Sequence, residues 1–228
     1  MDPLAATAAL VAVSLAGTAW AGWYYGRRIR RVEALAARLR RQLQAEYHAA
    51  NHDPLTGLPN RRGLFRLGEP LLAEAGRTPV AALVIDLDDF KQANDRFGHA
   101  TGDQVLVTIA NRLATWVSRL APARTGPRDR PGRPSAVVAR LGGDEFAGLF
   151  TAPTTDHGWL QQAAWQLSHE LGAPIDVNGR RVRVSASVGL TAVPTGMTLA
   201  EALHRADEVM YRAKAGGAPL GGATPLPA

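Results

Sequence analysis

Apolar and polar positions along this chain follow three rhythms. The first is unbroken: Leu4 to Tyr25 holds no charged residue in 22 positions. At about 1.5 Å per residue, a helix of that length reaches across the hydrocarbon core of a bilayer. Residues 4–25 therefore predict a transmembrane helix. A cleavable signal peptide is the rival, because Ala19-Trp20-Ala21 has a small-x-small pattern. Against it, no basic residue precedes the segment, while Arg27, Arg28, Arg30 and Arg31 follow it. Arginines after the span put that side in the cytoplasm, which predicts a single-pass protein of the inner membrane.

The second rhythm is helical. Val32, Leu35, Leu39 and Leu43 recur at helical spacing in a stretch rich in Ala, Leu, Arg and Gln that runs to about Ala50. A linker helix continuing out of the membrane is expected there. Its apolar stripe suits either pairing with a second copy or a monomeric spacer.

The third rhythm is that of strands. Val80 to Ile85 is a continuous apolar run, as in a strand covered on both faces. Val137 to Leu141 and Phe146 to Phe150 flank Gly142-Gly143-Asp144-Glu145, which reads as a hairpin with charges at its bend. Helices are expected near 61–76, 102–120, 156–171 and 198–213, with a second hairpin turning at Asn178-Gly179 between strands 174–177 and 181–191. This interleaving predicts an α/β domain with a mixed central sheet and flanking helices. Trp159, Trp165 and Met210 read as core. The run from 121 to 134, rich in Pro, Gly and Arg, reads as a loop. The divisions expected are an anchor at 1–26, a basic linker at 27–51, a folded domain at 52–217 and a tail at 218–228.

Charge changes one part of this picture. The net charge is +6, and residues 27–41 alone hold seven arginines and one glutamate, which accounts for all of it. The remainder is neutral and has no basic stripe to grip a phosphate backbone, so a nucleic-acid partner is not expected. The arginines read as a juxtamembrane anchor beside anionic headgroups. The absence of cysteine excludes disulfides, thiolate metal sites and thiol nucleophiles.

The candidate chemistry is acidic. Asp86-Leu87-Asp88-Asp89 leaves the carboxyl end of the Val80 strand, where ligands gather in open α/β sheets. Asp144 and Glu145 sit at the hairpin tip, after two glycines that let a molecule approach the backbone. Two strand ends carrying acids suggest one shared hard cation held by oxygens. Only two lysines occur among 26 basic residues, Lys91 and Lys214, and lysine is a common phosphate binder.

Six segments, in order, resemble the GGDEF family of diguanylate cyclases: Asp53-Pro54-Leu55-Thr56-Gly57-Leu58-Pro59-Asn60-Arg61-Arg62, the run from Asp86 to Asp95 with Phe90-Lys91 and Asn94, Phe97-Gly98-His99-Ala100-Thr101-Gly102-Asp103, Gly142 to Phe146, Ser187-Val188-Gly189, and Ala206 to Lys214. The resemblance covers about Asp53 to Gly216. It implies a palm-like nucleotidyl cyclase fold and the condensation of two GTP into cyclic di-GMP. It further implies magnesium, or manganese in its place, on Asp86, Asp144, the Leu87 carbonyl and Glu145, with Asp86, Asp144 and Glu145 as catalytic residues. Asn94 and Asp103 would read the guanine edge, Lys91 and Lys214 would hold the outer phosphates, and Gly142 and Gly143 would give the ribose and α-phosphate room. His99 would be structural. Turnover would need a homodimer, each chain supplying half of the site.

Two departures from the family pattern stand out. Where the family carries a product-binding Arg-x-x-Asp, this chain reads Arg133-Pro134-Ser135-Ala136, which implies weak or absent product inhibition by that route. After Lys214 the family continues with Arg-Asn and a final strand, but here Ala218-Pro219-Leu220 follows the glycines. A catalytically silent domain that senses GTP or cyclic di-GMP is therefore the alternative to an enzyme.

Overall fold

A computed structural model describes residues 3–121 and 135–215, without the side chains at 3, 5–9, 11–13, 16 and 19. The loop expected at 121–134, including Arg133 but not Ala121, and the tail at 218–228 lie outside these residues. The chain forms two compact units, Met1–His48 and Ala49–Ala228.

The described residues of the first unit are all helical. They belong to a single helix, α1 (Pro3–Asn51), which also runs into the start of the second unit. Ile29, Val32, Leu35, Leu39 and Leu43 are all half exposed or more. Residues 4–25 form the first part of α1, where a membrane span was expected. Among the described residues, no helix is long and apolar enough to cross a membrane. Many side chains in the middle of that segment lie outside the description.

The second unit contains α2 (Arg61–Leu72), β1 (Val80–Asp88), α3 (Phe90–Phe97), α4 (His99–Leu120), β2 (Ala136–Gly142), β3 (Glu145–Thr151), α5 (His157–Leu171), β4 (Ile175–Val177), β5 (Arg180–Val182), β6 (Ser185–Ala192) and α6 (Leu199–Ala215). Four strands form a sheet in the order β2-β3-β1-β6, and β4 with β5 forms a separate hairpin.

The apolar run of β1 is central because both of its faces are covered. Ala81, Leu83, Ile85 and Leu87 enter one core cluster with Ile109 and Leu113 of α4 and Leu167 and Leu171 of α5. Val80, Ala82 and Val84 enter a second cluster with Leu64 and Leu71 of α2 and Ala202 and Ala206 of α6. The period of two then puts Asp86 and Asp88 on the α6 side of the sheet.

The α/β interleaving is as expected, with a difference in strand direction. Every pairing among the described strands is antiparallel: β1 with β3, β1 with β6, β2 with β3 and β4 with β5. The α3–α4 crossover does deliver β2 in the same direction as β1. The hairpin then folds β3 between them, and β1 in turn separates β3 from β6. This is the split β-α-β arrangement, in which parallel strands are never neighbours.

Local boundaries also differ from expectation. The segment 90–97 is a helix that a short, polar stretch of eight residues does not announce. Asp89, at φ +53, turns the chain from β1 into it. The helix begun at Arg61 stops at Leu72, where Ala73 and then Gly76 at φ +93 turn the chain toward β1. The strand expected over 181–191 is divided into β5 and β6.

Helix α6 lies directly on β6 because residue 189 has no side chain. A Cβ there would come within 2.0 Å of the Ala206 carbonyl oxygen and 2.6 Å of the Met210 amide nitrogen, both in the α6 backbone. Gly189→Ala is expected to destabilise the domain by about 2 kcal/mol or more, since backbone cannot yield as a side chain can. An unchanged midpoint in chemical denaturation would contradict this packing.

Candidate functional site

The site begins where β1 meets the hairpin. Asp86 is the direct cross-strand partner of Glu145, and the Leu87 N–H donates to the Asp144 carbonyl at 3.4 Å. The two acidic clusters, far apart in sequence, thus stand side by side at one end of the sheet. Directly opposed residues of an antiparallel pair share a face, so Glu145 joins Asp86 on the α6 side.

The bend between β2 and β3 needs its glycines for backbone shape. Gly142 has φ +148 and Gly143 has φ +54, and a Cβ at either would meet nothing within 4 Å. Open space over a backbone that other residues rarely adopt is what a closely approaching ligand requires.

Behind this bend stands Arg140, which the sequence reading did not single out. Its Nε and Nη2 donate to the Gly143 carbonyl at 3.0 and 2.8 Å, and its Nη1 donates to both oxygens of Asp53 at 3.1 and 3.2 Å. Asp53 also accepts from the Thr56 N–H at 2.8 Å and the Thr56 hydroxyl at 2.6 Å. Burial opposes ionisation of Asp53, but these hydrogen bonds and the Arg140 charge outweigh it and lower its pKa below the ordinary carboxylate value. The turn from Asp53 to Asn60 packs against the end of α1: Asn60 donates from its backbone N–H to Asn51 and from its side chain to Ala50, at 2.9 and 3.1 Å. Asn60 also caps α2 by accepting from the Gly63 N–H at 2.9 Å. The signal for Arg140 was its place directly before Leu141-Gly142-Gly143.

Lys214 comes down from the last turn of α6 onto the acids. Its ammonium bonds the Asp86 carboxylate and lies 3.6 Å from Asp88 Oδ1. The hydrogen bond to Asp86 raises its pKa, partly opposed by burial and aided by the charges of Asp86 and Asp88. The Ser187 hydroxyl donates to the same Asp88 oxygen at 2.7 Å. Lys91 is exposed on α3 and has no ion-pair partner among the described residues. The structure therefore brings Lys214, and not Lys91, onto the acids.

Asn94 and Asp103 lie on α3 and α4, either side of Gly98 at φ +85. Asp103 is exposed, whereas the Asn94 Oδ1 is buried and has no hydrogen-bond partner among the described residues. It rests against Gly102, where a Cβ would come within 1.8 Å of it. Asp103 thus offers an exposed acceptor, while the Asn94 Oδ1 is closed off from solvent in this structure. His99 is the first residue of α4, at the loop-to-helix junction.

The donor set fits a hard divalent cation, since every candidate ligand is an oxygen. The Lys214 ammonium already shows that Asp86 draws a cation. Among the described residues, no group of three or more acidic or histidine side chains is poised to hold a metal. The three carboxylates proposed from sequence, Asp86, Asp144 and Glu145, are thus not gathered around one point in this structure. A cavity of about 830 Å³ runs along β6 between α5 and α6 and reaches the acidic cluster only at Asp88, next to Lys214.

Comparison with known proteins converges on one family. The family model described as diguanylate cyclase, GGDEF domain, matches residues 50–126 and 129–219. The chain is 40% identical over 187 residues to diguanylate cyclase TpbB of Pseudomonas aeruginosa, covering 80% of this chain and 39% of that protein. It thus spans about two-fifths of that relative's length. The solved structure of a truncated TpbB comprising only its GGDEF domain is 38% identical, with a TM-score of 0.59 over 73% of this chain and 90% of that one. The coiled coil and GGDEF domain of DgcB from Caulobacter crescentus, solved in complex with c-di-GMP, is 26% identical with a TM-score of 0.65, covering 84% and 95% of the two chains. With the six sequence segments, the strand-end acids and these matches in agreement, the chain belongs to the GGDEF diguanylate cyclase family.

Proposed function

We propose that this protein is a diguanylate cyclase that condenses two GTP molecules into cyclic di-GMP and two pyrophosphates. The observation that carries the reading is the side-by-side placement of Asp86 with Asp144 and Glu145 across β1 and β3. In each half-reaction a 3′-hydroxyl oxygen attacks the partner nucleotide's α-phosphorus, the bond to the β-phosphate breaks, and the hydroxyl proton is lost. Such transfer depends on positioning and charge neutralisation more than on covalent help.

Asp86, Asp144, Glu145 and the Leu87 carbonyl would hold magnesium, or manganese in its place. The ion, when bound, offsets phosphate charge and makes the attacking hydroxyl easier to deprotonate. Asn94 and Asp103 accept from the guanine edge, which disfavours adenine because its edge lacks that donor pair. Lys91 and Lys214 hold the outer phosphates, and Gly142 and Gly143 leave room for the ribose and α-phosphate. The attack joins two nucleotides, so two chains must meet. The exposed stripe Val32, Leu35, Leu39 and Leu43 on α1 suits pairing of two copies.

Residues 4–25, uncharged and followed by arginines, support single-pass attachment to the inner membrane with the catalytic domain in the cytoplasm, where GTP is found. The second reading is a silent GTP or cyclic di-GMP sensor. It is favoured by the missing arginine after Lys214 and by Ala136 in place of an acid.

Purified full-length protein incubated with GTP and magnesium is expected to form cyclic di-GMP. Asp144→Ala should lower that rate by at least about a hundredfold, because it removes a cation ligand. Tight GTP binding with no product from the unaltered chain would favour the sensor. Added cyclic di-GMP should leave the rate unchanged at submicromolar concentration, since Arg133 has no acid three residues on to complete a product site; inhibition in that range would contradict this. In cell fractionation the chain should sediment with membranes, resist salt washing and be released by deleting residues 4–25. A soluble full-length chain would oppose attachment.

A further inference from the structure

Asp88 and Ser187 have no role in the function proposed above, yet Asp88, held by Ser187, lies beside Lys214, whose helix is seated by Gly189. Ser187 and Gly189 lie on the face of β6 that meets α6. Gly189 brings the α6 backbone onto the strand at Ala206 and Met210, and Lys214 follows one helical turn later. That close approach sets the height at which the lysine reaches the sheet. Its ammonium then meets two carboxylates two residues apart on β1, bonding Asp86 and lying 3.6 Å from Asp88. Asp88 alone of the two is held by a hydroxyl: its Oδ1 accepts from Ser187 at 2.7 Å. The Asp88 side chain is 25% exposed and that of Lys214 46% exposed, so the ammonium is anchored at the rim of the site and still open toward it.

We propose that Asp88, fixed by the Ser187 hydroxyl, is a positioning residue that keeps the Lys214 ammonium beside the nucleotide's phosphates once Asp86 is taken up by a cation. A cation and an ammonium compete for the same Asp86 oxygens. With Asp86 as its only partner, Lys214 would be released into solvent as a long, freely rotating side chain, and nucleotide binding would have to order it again. A second carboxylate, held in place by a neutral hydroxyl donor, retains the ammonium within reach. Ser187 suits this task because its hydroxyl orients Asp88 without adding charge. The inference deepens the assignment of Lys214 to phosphate binding and rests on it.

The test measures GTP binding by the full chain with calcium in place of magnesium, together with cyclase kinetics in magnesium. Ser187→Ala and Asp88→Asn are each expected to weaken GTP binding about fivefold, the net worth of one ordinary hydrogen bond, and to act on KM more than on kcat. Ser187→Thr, which keeps the hydroxyl, should bind GTP like the unaltered chain. The decisive arm is the double variant: if Asp88 acts through Lys214, Asp88→Asn weakens GTP binding no further in a Lys214→Met background. Unaltered GTP binding in both single variants would overturn the proposal. So would an Asp88→Asn loss as large without Lys214 as with it, which would mark Asp88 as merely structural. If these binding patterns hold while no cyclic di-GMP forms, the cyclase reading fails and the positioning role stands.

Discussion

Two carboxylates set opposite one another across a strand pair, Asp86 on β1 and Glu145 on β3, with Asp144 one residue away at the bend, form the constraint from which the site follows. Like charges directly opposed on a sheet repel. The fold tolerates them because they stand at the strand ends, where the core gives way to solvent, and because Lys214 supplies an ammonium to Asp86. A place that must attract positive charge to be comfortable is a natural seat for a divalent ion and for the phosphates that come with it.

The surrounding elements are arranged to hold that end of the sheet still. β1 is gripped on both faces, so its carboxyl end cannot tilt without disturbing two cores. Arg140 holds the bend from one side through the Gly143 carbonyl and reaches Asp53 with its remaining nitrogen. Helix α6 closes the other side, seated on β6 by the absence of a side chain at Gly189. The bend and the turn that follows α1 thus share one guanidinium, and Asp86 and Asp88 share one ammonium.

Much of this was legible from sequence, for identifiable reasons. The unbroken apolar run Val80 to Ile85 gave away a strand covered on both faces, and Asp86 at its end could only emerge where the sheet opens. The glycine pair gave away the hairpin, and its two positive φ values are the reason glycine stands there. What was hidden was of another kind. Helix α3 is too short and too polar to show a period, so Lys91 and Asn94 were identified without the element that carries them. The antiparallel direction of neighbouring strands was masked because the crossover does return β2 parallel to β1, and only the later insertion of β3 separates them. Arg140, Asp88 and Ser187 act through partners as far as 99 positions away, a distance at which local pattern carries no information.

The central claim is that Asp86 and Asp144 serve one cation. Crystals grown with manganese and a non-reacting GTP analogue, examined by anomalous diffraction, test it most directly. The account predicts a manganese peak bonded to oxygens of both Asp86 and Asp144 and to the nucleotide phosphates, with Lys214 withdrawn from Asp86. A bound nucleotide whose manganese touches only one of these residues, or neither, would contradict it.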